Sequence, residues 1–98
     1  MTKTVDITTI IEFEENENHF LPWDMALNDD RRVVGKSPYA GQKVFGFAPK
    51  GDTGAHVVTT LDEGWMEKAV GLVPVLIENG NMYQLTSHVV RNVRPFGA

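Results

Sequence analysis

The sequence predicts a mainly β domain, a small barrel or a strongly bent antiparallel sheet of five to six strands with one or two short helices (an α+β variant). Three observations lead there. Short apolar runs rich in β-branched residues recur along the chain, and clusters of Gly, Pro, Asn and Asp separate them about every ten residues. Within residues 72–85, Asn79-Gly80 stands between two apolar runs, and a two-residue type I′ turn needs φ > 0 at both central positions, which Asn and Gly tolerate best. No segment keeps a helical period for more than about two turns.

That turn sets a register. Glu78 faces Asn81, Ile77 faces Met82, Leu76 faces Tyr83, Val75 faces Gln84 and Pro74 faces Leu85. One face of the hairpin then carries Val75, Ile77 and Met82, the other Leu76, Tyr83 and Leu85. Neither face is polar, so the rest of the chain is expected to wrap the hairpin on both sides.

The remaining elements follow in order. Residues 4–13 alternate as a strand that buries Val5, Ile7, Thr9 and Ile11. Residues 14–19, with three glutamates and two asparagines, form a solvated loop. Residues 20–28 read as one or two turns of helix begun at Pro22 and ended at Asn28, with Phe20, Trp23 and Leu27 on one face plugging an open end of the core. A turn at residues 29–32 leads to a short strand at Val33-Val34. Residues 35–41 are a loop, and residues 43–48 a strand in which Gly46 marks a bulge or a close backbone approach. A turn cluster over residues 49–54 precedes a strand at residues 56–60. Residues 61–71 are balanced between a short helix and an irregular loop, because Glu67 and Lys68 favour helix while Gly64 interrupts it.

After the hairpin, Thr86-Ser87-His88 makes a tight turn through hydroxyls that bond back to the backbone, and residues 89–93 form a last strand. A hairpin, a one-turn kink and a final short strand resemble the end of an SH3-like small barrel. The resemblance covers about the last 25 residues and implies a fold, not a function.

Ninety-eight residues with 42% hydrophobic content suffice for one domain spanning residues 1–98. There is no cysteine, which favours a cytoplasmic setting over one that relies on disulfides. Asp6 interrupts the first apolar run, so no signal peptide is expected, and no run nears the ~18 apolar residues of a membrane helix. Net charge is −4, unevenly placed. Residues 1–30 hold eight carboxylates against one lysine, a net −7, while residues 31–98 hold eight cations and five acids, a net +3. Acid gathered at one end steers basic partners and repels nucleic acid.

The chemical motifs are weak. Asp52-Thr53-Gly54-Ala55 resembles the signature of retroviral-type aspartic proteases, but Ala48-Pro49-Lys50-Gly51 precedes it where that family has an apolar strand, and no later apolar-Gly-Arg segment follows. Asp-Thr-Gly is also an ordinary turn sequence. His19, His56 and His88 show no metal-ligand spacing. Ser37 and Ser87 lie outside any nucleophile elbow, and the glycines form no phosphate loop. No enzyme, metal or cofactor is expected.

Binding remains. Phe20, Trp23 and Asp24, beside Glu12, Glu14, Glu15 and Glu17 and followed by Asp29 and Asp30, offer aromatic anchors within a charged rim, as interface centres often do. The leading expectation is a stoichiometric inhibitor or antagonist, of the kind phages and mobile elements carry, that masks a basic or nucleic-acid-binding surface of a partner protein. The alternative is a pocket for a nucleotide or nucleic acid, with Arg91 and Arg94 on phosphate and Tyr39 or Phe45 stacking on a base. Overall acidity disfavours direct phosphate binding. No membrane partner is expected, and a homo-oligomer is left open.

Overall fold

A computed structural model describes residues 7–14, 25–35, 37–52 and 57–96. It is mainly β, with two antiparallel four-stranded sheets and one short helix. The first sheet has the order β3-β2-β1-β8, where β1 is Ile7–Phe13, β2 Met25–Asn28, β3 Val33–Val34 and β8 Val90–Pro95. The second has the order β5-β4-β6-β7, where β4 is Lys43–Ala48, β5 Val58–Thr59, β6 Val73–Glu78 and β7 Asn81–Gln84. The sheets meet where Arg32 bridges Lys43, and again where the Val90 N–H donates to Leu72 and the Val90 carbonyl accepts from Gly71. They do not close into one continuous barrel.

Alternation decides which side chains go inside. In β1, Thr9, Ile11 and Phe13 are buried, so the odd-numbered face is the inner one as expected. In β6 Leu76 is buried, as is Leu85 just after β7, and Tyr83 of β7 packs beside them. Leu27, Val33, Val44, Phe47 and Val90 complete a core shared by the two sheets.

The hairpin register is the predicted one at every pair from Val75–Gln84 to Glu78–Asn81, and the Leu85 N–H donates to the Pro74 carbonyl. Asn79 and Gly80 have φ of 53° and 82°, the left-handed values that a type I′ turn requires. The expectation that both faces are covered holds only in part, because on the face opposite Leu76 the hairpin buries Val75 and half-buries Ile77 but leaves Met82 56% exposed.

Two further expectations change. Residues 25–28 form a strand and not the end of a helix, since Met25 and Leu27 alternate with Ala26 and Asn28 and pair with Ile11 and Thr9 of β1. Asn28 does end the element, but through a turn in which its Oδ1 accepts the N–H groups of Asp30 and Arg32. Phe20 and Trp23 lie outside the described residues, as does the loop at residues 15–19. Among the described residues α1, Trp65–Lys68, packs on the core, its Trp65 ring stacked on Phe47 with centroids 5.6 Å apart. The short helix is thus one of the two readings left open for residues 61–71. Of the strand expected at residues 56–60, β5 covers Val58–Thr59 and His56 lies outside the described residues, while the last strand runs on to Pro95.

Candidate functional site

Three surface features collect the chemically active side chains among the described residues. The first lies on the outer face of the first sheet. Phe13 pairs with Val90 and Glu12 with Asn92, so Arg91 is an extra residue in β8, a bulge that turns it to the same side as Asn92. Glu12 Oε1 then accepts from Arg91 Nη2 and Asn92 Nδ2, and Oε2 from Arg94 Nε, each at 3.3 Å. The Asn92 hydrogen bond, aided by that of Arg94 and by the charges of Arg91 and Arg94, holds the Glu12 carboxyl below its usual value.

The second feature is the turn between β2 and β3. Arg31 takes a left-handed φ of 64°, the Asn28 side chain clasps the turn, and Asp30 Oδ2 accepts from Arg32 Nε at 2.8 Å. Lys43 Nζ approaches Asp30 at 4.0 Å, and Arg32 Nη1 also donates to the Gly41 carbonyl. The hydrogen bond from Arg32, then the charge of Lys43, depresses the Asp30 carboxyl.

The third is a groove of about 280 Å³ on the outer face of the second sheet. Phe45, Val57, Val75 and Met82 line it, with Thr59, Tyr83 and Gln84. It exists because of Gly46. Val44 pairs with Leu76 and Gly46 with Val75, so Phe45 is the extra residue of a bulge and points outward, 37% exposed, while Phe47 on the far side of the bulge is fully buried. A Cβ on Gly46 would stand 2.5 Å from the Val58 carbonyl oxygen, so the glycine also lets β5 approach. Both roles expected of Gly46 are present at once. The polar groups at the groove are used internally: the Gln84 amide accepts from the Gly51 N–H and donates to the Pro49 and Asp52 carbonyls, and the Tyr83 hydroxyl bonds Gln42. The groove therefore offers its occupant mainly apolar contact.

No family model, curated protein or solved structure matches the chain.

The candidate partner-binding residues divide. Glu12 and Asp30 already hold cations of their own chain, whereas Glu14 and Asp29 are exposed. Glu15, Glu17, Phe20, Trp23 and Asp24 lie outside the described residues. The alternative set does not converge. Arg91 and Arg94 lie on the first sheet with Glu12, Phe45 faces outward from the second sheet, and Tyr39 packs against the core with its ring edge-on to His88. None of the cavities described joins either arginine to Tyr39 or Phe45. His19 and His56 lie outside the described residues, and His88 is buried between Phe13 and Tyr39. Among the described residues no three acidic or histidine side chains are grouped as metal ligands would be. Asp52 closes the turn at residues 49–52, its N–H donating to the Pro49 carbonyl, while Thr53, Gly54 and Ala55 lie outside the described residues. No described helix is long and apolar enough to cross a membrane.

Sequence reasoning missed the groove. Its one legible signal was the apolar character of both hairpin faces, and the bulge that turns Phe45 outward was foreseen without that consequence.

Proposed function

We propose that this chain is a non-enzymatic, stoichiometric binding protein of the inhibitor or antagonist type, which covers a basic or nucleic-acid-binding surface of a partner protein with its acidic first 30 residues. The observation that carries the reading is the partition of charge, −7 over residues 1–30 against +3 over the remainder. The geometry narrows the contact set. Glu12 and Asp30 each lie between two cations of the chain, so their charge is spent inside the fold, and the contact passes to Glu14 and Asp29, with Glu15, Glu17 and Asp24. A cytoplasmic phage-type antagonist is the class this composition suits, and the ending of hairpin, kink and short strand is what supports an SH3-like comparison.

The test is capture of a partner from cell extract by the full chain and by a variant carrying Glu14→Lys, Glu15→Lys and Glu17→Lys, with circular dichroism confirming that the variant folds. Capture by the parent chain should be lost in the variant and should weaken as salt shortens the Debye length below about 8 Å. Equal capture by both proteins would remove the acidic segment from the contact.

A further inference from the structure

The edges of the two sheets are not alike. Three of them are guarded in ways that natural sheets use against edge pairing. β3 is two residues long and is flanked by the 39–42 segment, with the Gly41 N–H donating to the Val33 carbonyl and the Val33 N–H to Gln42. β5 is also only two residues, and Asp62 Oδ2 takes the Thr59 N–H. β8 carries Arg91, Arg94 and Pro95, has a bulge, and is held at its start by residues 71 and 72. β7 has none of these. Asn81-Met82-Tyr83-Gln84 has no charge, no proline and no bulge.

The register shows which backbone groups β7 leaves open. Asn81 and Tyr83 exchange hydrogen bonds with Glu78 and Leu76 as the narrow pairs of a two-residue hairpin, a phase confirmed by the Leu85 N–H on the Pro74 carbonyl. The N–H and C=O groups of Met82 and Gln84 therefore point away from β6, and none of the four bonds to another described backbone group. On the outer face the same two residues line the groove beside Phe45 and Val75.

We propose that two copies of this chain join edge to edge through β7, antiparallel about a two-fold axis at Tyr83, to make one eight-stranded sheet. In that register Met82 of each copy pairs with Gln84 of the other, and every outward N–H meets an outward C=O, four hydrogen bonds in all. The partner's Met82 falls opposite Gln84, at the mouth of the groove, and brings the apolar group that the groove accepts. A second copy is the occupant that fits because the edge is self-complementary: it sets no like charges opposite one another, and the two-fold repeats each contact. The same register runs the hairpin tip of each copy, residues 79 and 80, past the other's turn at residues 86 and 87, which is exposed and uncharged. This edge belongs to the second sheet, whereas Glu12 and the β2–β3 turn with Asp29 and Asp30 belong to the first.

The test is the molar mass of the full chain by light scattering and sedimentation over about 1 µM to about 500 µM. The dimer should appear as twice 10.9 kDa. Met82→Lys, which places on β7 the guard residue that other edges carry, should raise the dimer dissociation constant at least about tenfold while thermal unfolding of the monomer stays cooperative. A second variant, Met82→Pro, removes one outward N–H without touching the β6 ladder and should do the same. A 10.9 kDa mass throughout that range, or a dimer that both variants leave intact, would overturn the proposal.

Discussion

His88 meets Phe13 edge to face, ring centroids 5.1 Å apart and planes at 86°, and so joins the turn after β7 to the inner face of β1. Tyr39 closes on its other side at 5.9 Å in the same geometry, and the Ser87 hydroxyl lies 3.4 Å from Nδ1. Burial lowers the His88 pKa from its usual 6.5. In the folded protein the ring stays neutral where the unfolded chain would already be charged, so stability is full above pH ~6.5 and falls as pH drops through that value toward the depressed folded pKa. Denaturant midpoints measured between pH 5 and pH 7 should decline in the parent chain, and His88→Phe, which keeps a ring between Phe13 and Tyr39, should flatten that decline. Equal slopes would mean that His88 does not set the acid sensitivity.

Gly46 tests close approach alone, because its φ is ordinary while an added Cβ would stand 2.5 Å from Val58 O and 2.9 Å from Val57 Cγ1. The first is backbone and cannot turn aside. Gly46→Ala should destabilise by about 1–3 kcal/mol, the usual cost of overpacking, with β5 losing amide protection first. A change below about 0.5 kcal/mol would show that β5 yields freely.

Gly80 tests the converse. Its φ is 82° and nothing lies within 4 Å of where a Cβ would be, so Gly80→Ala meets backbone strain without a clash. The expected loss is about 1–2 kcal/mol, or a melting temperature lower by very roughly 4–16 °C for a chain of this size. Asn79→Gly, at φ 53°, should change stability by less than half as much, since glycine enters that region freely.

These two glycines mark how far the fold could be read from the residues. Asn79-Gly80 is a local signal whose geometry is complete within four residues, so the turn, the register and both strands were legible. The strand β4 was legible too, and Gly46 within its apolar run marked a bulge or a close backbone approach, of which the structure holds both. Residues 25–28 were misread because Pro22 and Asn28 frame a helix as naturally as they frame a turn, and only pairing with β1 makes Met25 and Leu27 alternate. Pairings between distant segments explain the site as well. Glu12 lies 79 residues from Arg91 and 82 from Arg94, so its charge counted as free acid until β1 and β8 were placed side by side.

Glu12 holds two guanidiniums on the first sheet, and its removal should show in their behaviour more than in the fold. The carboxyl is held below its usual 4.5, first by Asn92 and then by the arginines, so its contribution is present above that value and lost as pH falls through the folded pKa. Glu12→Gln should flatten the acid limb of the stability curve below pH 4.5 and weaken its dependence on salt. It should also leave Arg91 and Arg94 unmatched, so retention on a heparin column should rise relative to the parent chain. Unchanged retention would show that the two arginines are not made available by losing Glu12.

Trp65 is the residue that decides whether α1 exists. Four helical residues with no side-chain cap and a left-handed Gly64 at the N-cap lie far below the length at which a helix holds itself in water. What α1 has is tertiary contact: the Trp65 ring lies nearly parallel to Phe47, at 12°, with Met66 and Ala69 packed against the same core. Trp65→Ala removes the stack and uncovers Phe47, and should cost about 3 kcal/mol, the low end for a large aromatic because Trp65 is only partly covered. The amides of Lys68 and Ala69, bonded to the Gly64 and Trp65 carbonyls, should then exchange as fast as an open loop. Trp65→Phe keeps a ring over Phe47 and should retain most of that protection. Protection surviving in the alanine variant would mean that Met66 and Ala69 suffice to hold the turn.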